Sequence, residues 1–201
     1  MIQAVEPALI LASGSATRHA LLTAAGLSFT VQVPRLDEQA IKRSAQEDGA
    51  DAGEAALLLA ETKARRARMP GALVIGIDQI LVHDGRWFDK PADLSEARSH
   101  LQSLRGGTHE LATAVACLRG GVRVWHHVAR PVLTMRAFSD DFLDAYLAAE
   151  GDVCLASVGA YRLEGLGVHL FDRVQGEHAA ILGLPLLPLL GFLRQHGVLL
   201  A

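Results

Sequence analysis

The 201-residue chain predicts a mixed α/β fold with a hairpin-rich middle. Three observations carry that reading. Apolar runs of strand length, Ala8-Leu9-Ile10-Leu11-Ala12 and Leu73-Val74-Ile75-Gly76-Ile77, alternate with longer segments of helical propensity. Asp84-Gly85 and Gly120-Gly121 separate further strand-like runs as turns. Half of the residues are hydrophobic and 20% are charged, the composition of a chain that buries a core. No repeat or linker-like tract divides it, so residues 1–201 are read as one domain.

The first strand, Ala8 to Ala12, breaks at Ser13-Gly14-Ser15 and passes into a helix around Arg18 to Ala25, stopped by Gly26. Phe29 to Val33 alternates like a strand and ends at Pro34. Glu54 to Arg68 reads as a helix with Leu57, Leu58 and Leu59 inward. Its basic last turn (Lys63, Arg65, Arg66 and Arg68) suits the negative end of the helix dipole. The second apolar strand, Leu73 to Ile77, runs straight into Asp78. A hairpin joins Ile80-Leu81-Val82 to Trp87-Phe88, and a helix opens at Ser95-Glu96 and closes at Gly106-Gly107. Strands follow over 111–118 and 122–134, then a helix capped by Ser139 and ending near Gly151. Val168 to Phe171 is strand-like, and a last helix follows Pro188.

Composition excludes several functions. A net charge of −3 leaves no basic excess for general binding to nucleic acid or anionic membrane. Aromatic residues, at 5%, are too few for single-strand stacking platforms. Cys117 and Cys154 form no CxxC pair, the histidines no HxxxH pair, and no GxSxG elbow exists. The start lacks a basic n-region, and the apolar stretch from Ile181 to Leu193 is broken by Pro185 and Pro188, so a cytoplasmic location is expected.

The chemistry-bearing residues are few. Ser13-Gly14-Ser15-Ala16-Thr17-Arg18 puts a helix N-terminus directly after a strand. There unpaired N–H groups, two hydroxyls and the Arg18 fork favour phosphate, although an ordinary helix cap has the same letters. Asp78 follows an apolar strand, a costly place for a carboxylate unless it holds a metal, activates water or caps a turn. Asp37-Glu38 offers a second acid or a solvated loop. Lys63 and Lys90, two of only three lysines, are point charges suited to polyphosphate.

In order, these pieces resemble one family: the Maf-type nucleoside triphosphate pyrophosphatases. The resemblance rests on Leu9-Ile10-Leu11-Ala12-Ser13-Gly14-Ser15 with Arg18, Asp37-Glu38, and Glu61-Thr62-Lys63-Ala64. It continues through Val74-Ile75-Gly76-Ile77-Asp78-Gln79, Lys90-Pro91, and Leu101 to Gly106 with His109. Gly159 to Gly167 and Gly183-Leu184-Pro185-Leu186 complete it, so that nearly the whole chain is covered. Departures from the family pattern are Ala16 for a proline, Thr17-Arg18-His19 for an arginine run, and Gln79 where one branch has threonine. Cys154 to Ala160 replaces the motif of the dTTP/UTP-cleaving branch. Asp78-Gln79 with Glu164 is more similar to the 7-methyl-GTP branch, which carries a large aromatic where Thr17 stands.

The resemblance implies a twisted mixed sheet with flanking helices, two lobes around a nucleotide cleft, as in the related inosine triphosphatase group. It implies hydrolysis of nucleoside triphosphates, modified ones included, to monophosphate and pyrophosphate. Asp78 and Glu38 are the implied catalytic acids and metal ligands. Ser13, Ser15, Arg18, Lys63 and Lys90 are the implied phosphate grip, and Thr17, Gln79 and Glu164 the specificity residues. The implied cofactor is a divalent cation, Mg2+. The expected partner is the nucleotide substrate rather than nucleic acid or membrane, with a homodimer left open. The alternative is a non-catalytic nucleotide-binding regulator of cell division.

Overall fold

A computed structural model describes residues 2–67 and 69–200 of the chain; Arg68, expected at the basic helix end, lies outside the described residues. Along the chain run β1 (Leu9–Ala12), α1 (Ala16–Ala24), β2 (Thr30–Val31), α2 (Glu38–Glu47) and α3 (Ala52–Arg66). Next come β3 (Leu73–His83), β4 (Arg86–Phe88), α4 (Leu94–Leu104), β5 (Thr108–Arg119), β6 (Val122–Ala129) and β7 (Val132–Met135). Then follow α5 (Asp140–Glu150), three short 3-10 turns, β8 (Phe171–Gln175), α6 (His178–Ile181) and α7 (Leu186–Gln195). Parallel and antiparallel pairings both occur, so the strands form the mixed α/β arrangement with flanking helices that the sequence predicts. The chain divides into two compact units: Met1–Gln79 with Thr113–Ala129 and His178–Ala201, and Ile80–Ala112 with Arg130–Glu177.

In the first unit β1 lies between β2 and β3, parallel to both, in register Ile10↔Thr30 and Leu9↔Leu73. The second half of β5 pairs antiparallel with β6 from Thr113↔Ala129 to Arg119↔Val122. Successive strand residues face opposite sides. Leu9, Leu11, Ile75, Ile77, Val115 and Cys117 pack with Leu22 of α1 and with Leu189 and Phe192 of α7. Gly76 faces the other way, and α3 lies so close there that a Cβ on Gly76 would stand 1.9 Å from the Ala60 carbonyl oxygen. The close approach depends on small residues: Ala56, Ala60 and Ala64 form the buried face of α3. Leu58 is 47% exposed, correcting the expectation that three consecutive leucines point inward. Steps of about 100° around a helix cannot aim all three at one face.

In the second unit the end of β3 pairs with β4 across Asp84-Gly85, whose φ values of 48° and 76° make the expected tight turn. The first residues of β5 pair with β7, and β7 pairs with β8. Buried Glu150 accepts from the Arg162 Nε at 3.0 Å, and the Tyr146 hydroxyl donates to the Ala160 carbonyl at 3.1 Å, tying α5 to the turns after it.

Several boundaries differ from the sequence reading. The strand expected over 122–134 breaks before Pro131, which has no N–H for the ladder. Asp93, rather than Ser95, caps α4 by accepting from the Glu96 N–H. The final helix starts at Leu186, with Pro188 in its first turn, where a missing N–H costs no intrahelical bond. Asp37 and Glu38 do not form a loop: Asp37 caps α2 and Glu38 opens it.

Candidate active site

The site is built in the first unit from three helix beginnings and ends around β1 and β3. Leaving β1, the chain turns at Ser13, whose Oγ accepts from the Ser15 N–H at 3.3 Å. Ser15 is the N-cap of α1, and its Oγ accepts from the Arg18 N–H at 3.3 Å. One orphan donor of the helix is thereby satisfied, leaving the N–H groups of the first two helical residues without intrahelical partners.

Arg18 bends back over this turn. Its Nε donates to the Gly183 carbonyl at 2.8 Å, and its Nη1 donates to the Ile77 carbonyl at 3.1 Å and to Ser13 Oγ at 3.3 Å. The guanidinium thus ties the serine turn, the residue before Asp78 and the segment after α6 together. Burial lowers the Arg18 guanidinium from its usual value, while the carboxylates of Asp78 and Glu38 pull the other way. Both acids are therefore close enough to act on it.

Asp78 does not end β3; it lies in the middle of the eleven-residue strand. A buried mid-strand carboxylate requires a partner, and α3 supplies it. Lys63 Nζ is 2.5 Å from Asp78 Oδ1 and 2.9 Å from Glu38 Oε1. Lys63 and Asp78 are both buried, whereas Glu38 at the start of α2 is half-buried. The ammonium reaches Asp78 because Gly76 and the alanines let α3 lie flat against β3. Arg35, Leu36, Asp37, Glu38 and Gln39 line an open depression of about 680 Å³.

Gln79, next on β3, faces the side opposite to Asp78. Its Nε2 donates to Thr113 Oγ1 at 2.8 Å, the Ala180 carbonyl at 3.1 Å and the Ile181 carbonyl at 3.2 Å. Thr17 is half-buried on α1. Lys90 and Glu164, both exposed, belong to the second unit. The first unit therefore gathers Ser13, Ser15, Arg18, Glu38, Lys63 and Asp78.

Thr113, with the Gly183 and Ile77 carbonyls, completes the scaffold and was missed in the sequence reading. Thr113 is a lone hydroxyl in the apolar run from Leu111 to Leu118, the one signal that could have flagged it. Among the described residues no three His, Cys, Asp or Glu side chains gather as a ready metal cage. The two carboxylates suit a hard cation that completes its shell with water and phosphate oxygens. In chemical terms the cluster is a buried acid paired with an ammonium, beside a helix N-terminus and an oriented guanidinium. That arrangement can receive a polyanion and take a proton from water.

Comparison with known proteins gives a consistent picture. The family described as "Maf-like protein" matches residues 8–196. The chain is 54% identical over 202 residues to a "Nucleoside triphosphate pyrophosphatase" of Rhodospirillum rubrum, covering 100% of both chains. It is 53% identical over 193 residues to a protein of the same name from Granulibacter bethesdensis, covering 95% of this chain and 98% of the relative. A "7-methyl-GTP pyrophosphatase" of Rhizobium johnstonii is 46% identical over 197 residues, covering 97% of this chain and 99% of that one.

Proposed function

The chain belongs to the Maf family, and from that membership we propose that it is a pyrophosphate-releasing hydrolase of nucleoside triphosphates. The observation that carries the reading is the buried Lys63–Asp78 pair with Glu38 on the same ammonium. The water oxygen bonds to phosphorus as the α–β phosphoanhydride bond breaks, giving monophosphate and pyrophosphate. Asp78 accepts the water proton at the oxygen that Lys63 leaves unclaimed. Lys63 anchors one Asp78 oxygen for that role and fixes its rotamer. Ser13, Ser15 and Arg18 place donors and positive charge where the phosphoryl oxygens gain charge. Lys90 is read as a further phosphate-binding lysine.

A bound divalent cation, magnesium in this reading, would be held by Asp78 and Glu38 and would supply further charge neutralisation to the phosphate oxygens. Thr17, Gln79 and Glu164 are read as residues that select the base. A relative named for 7-methyl-GTP supports including methylated nucleotides among the substrates to be tried. No described helix is long and apolar enough to cross a membrane, and a nucleotide substrate favours the cytoplasm as the working compartment.

The test is product analysis. Purified protein with magnesium should convert a nucleoside triphosphate to equal amounts of monophosphate and pyrophosphate, and a chelator should stop it. Release of orthophosphate with diphosphate would refute the α–β cleavage.

A further inference from the structure

The amide of Gln79 has no donor to spare. It carries two N–H groups, and three acceptors meet its nitrogen: Thr113 Oγ1, the Ala180 carbonyl and the Ile181 carbonyl. Two of these are backbone carbonyls, which only accept, so the nitrogen must face them. Thr113 settles the third. Its hydroxyl donates to the Ala180 carbonyl at 3.0 Å, so toward Gln79 it acts as an acceptor. Thr113 is fully buried, at 0% exposure. An amide is planar, so its oxygen points away from the atoms that hold the nitrogen. Gln79 itself is only half-buried.

We infer that Thr113 is a positioning residue: by bonding both the Gln79 amide and the Ala180 carbonyl it completes, with the Ala180 and Ile181 carbonyls, a clamp that leaves Gln79 only its acceptor oxygen, so that the site selects nucleotides by an N–H donor on the base. The inference rests on the reading of Gln79 as a selecting residue given above. An unlocked glutamine could rotate and meet donor or acceptor alike, and would discriminate poorly. A locked one leaves a base that offers a lone pair in that place with two acceptors opposed. The clamp has support at a second point, because the segment that Gln79 holds is the one whose Gly183 carbonyl takes Arg18 Nε. Selection and the serine turn therefore share one scaffold.

The experiment compares Thr113→Val, which keeps shape and removes the hydroxyl, with Thr113→Ser, which keeps the hydroxyl. UTP, CTP, GTP and ATP are profiled twice: as kcat/KM for pyrophosphate release, and as Kd by calorimetry. The Gln79 side-chain amide protons are followed by NMR exchange. The expected result is a Thr113→Val profile in which the ratio of best to worst nucleotide falls about tenfold, with faster Gln79 exchange, while Thr113→Ser keeps the wild-type profile. Equal loss on all four nucleotides, or an unchanged profile, would overturn it. If the wild type binds nucleotides but hydrolyses none, the proposed activity fails by itself and the Kd profile still decides the role of Thr113. Absence of any nucleotide binding would overturn both.

Discussion

The Lys63 ammonium lies 2.5 Å from Asp78 Oδ1, and the two side chains bury each other between α3 and β3. Neither has an independent reason to be there. A buried carboxylate without its ammonium is an uncompensated charge, and losing one partner of such a pair costs about 3–5 kcal/mol. Lys63→Met should therefore destabilise the protein by about 3 kcal/mol in denaturant titration at neutral pH. Asp78→Asn alone should cost less, because Glu38 Oε1 still lies 2.9 Å from the ammonium, and the double variant less than the sum of the two. Additive losses would show that the pair is not coupled.

Gly76 sets how near α3 can come. With a Cβ placed 1.9 Å from the Ala60 carbonyl oxygen and 2.9 Å from Ala64 Cβ, Gly76→Ala must push α3 away from the strand. Overpacking of this kind costs about 1–3 kcal/mol. Since the displaced helix carries Lys63, hydrolysis should fall further than it does in a surface variant of equal stability. Thermal melts and turnover measured on the same samples check this.

Arg18 uses geometry as well as charge. Lysine keeps the charge but cannot span Gly183, Ile77 and Ser13 with one planar fork. Arg18→Lys should lower kcat/KM by about ten- to a hundredfold, and added guanidinium should restore part of it in Arg18→Ala. Full activity in Arg18→Lys would reduce the residue to a simple positive charge.

His109 predicts a pH dependence. Burial holds its imidazole down at about 3, with His83 pushing the same way, and its Nε2 lies 2.8 Å from the Tyr161 hydroxyl. The folded value is below the ordinary 6.5, so the unfolded chain takes the proton first as pH falls. This group's stabilisation is complete above about pH 6.5 and is lost as pH drops from there toward 3. The loss is at most about 1.4 kcal/mol per pH unit. Denaturant midpoints at pH 7, 6, 5 and 4 should fall more steeply in the wild type than in His109→Gln. Parallel slopes would exclude His109 as the source.

The sequence already showed the serine turn, because a strand, Ser13-Gly14-Ser15 and a helix are local and their spacing is the structure. Lys63 and Asp78 were visible as residues but not as a pair: fifteen positions separate them, and the contact depends on the packing of α3 against Gly76. Asp37-Glu38 left a second site acid and a solvated loop both open, because two adjacent acids look alike in either role; one is a cap and the other is drawn to Lys63. Asp78 was expected at a strand end for a physical reason, the cost of burying its charge, and the ammonium from α3 removes that cost. Thr113 could not be assigned because its partners, the Gln79 amide and the Ala180 carbonyl, lie far along the chain.

The most direct test is pyrophosphate release from a nucleoside triphosphate with magnesium, wild type beside Asp78→Asn, with circular dichroism on both. The expected result is wild-type turnover that falls at least about a hundredfold in the variant while its fold is retained. Wild-type rates in a folded Asp78→Asn protein would contradict the assignment of Asp78 as the group that receives the water proton.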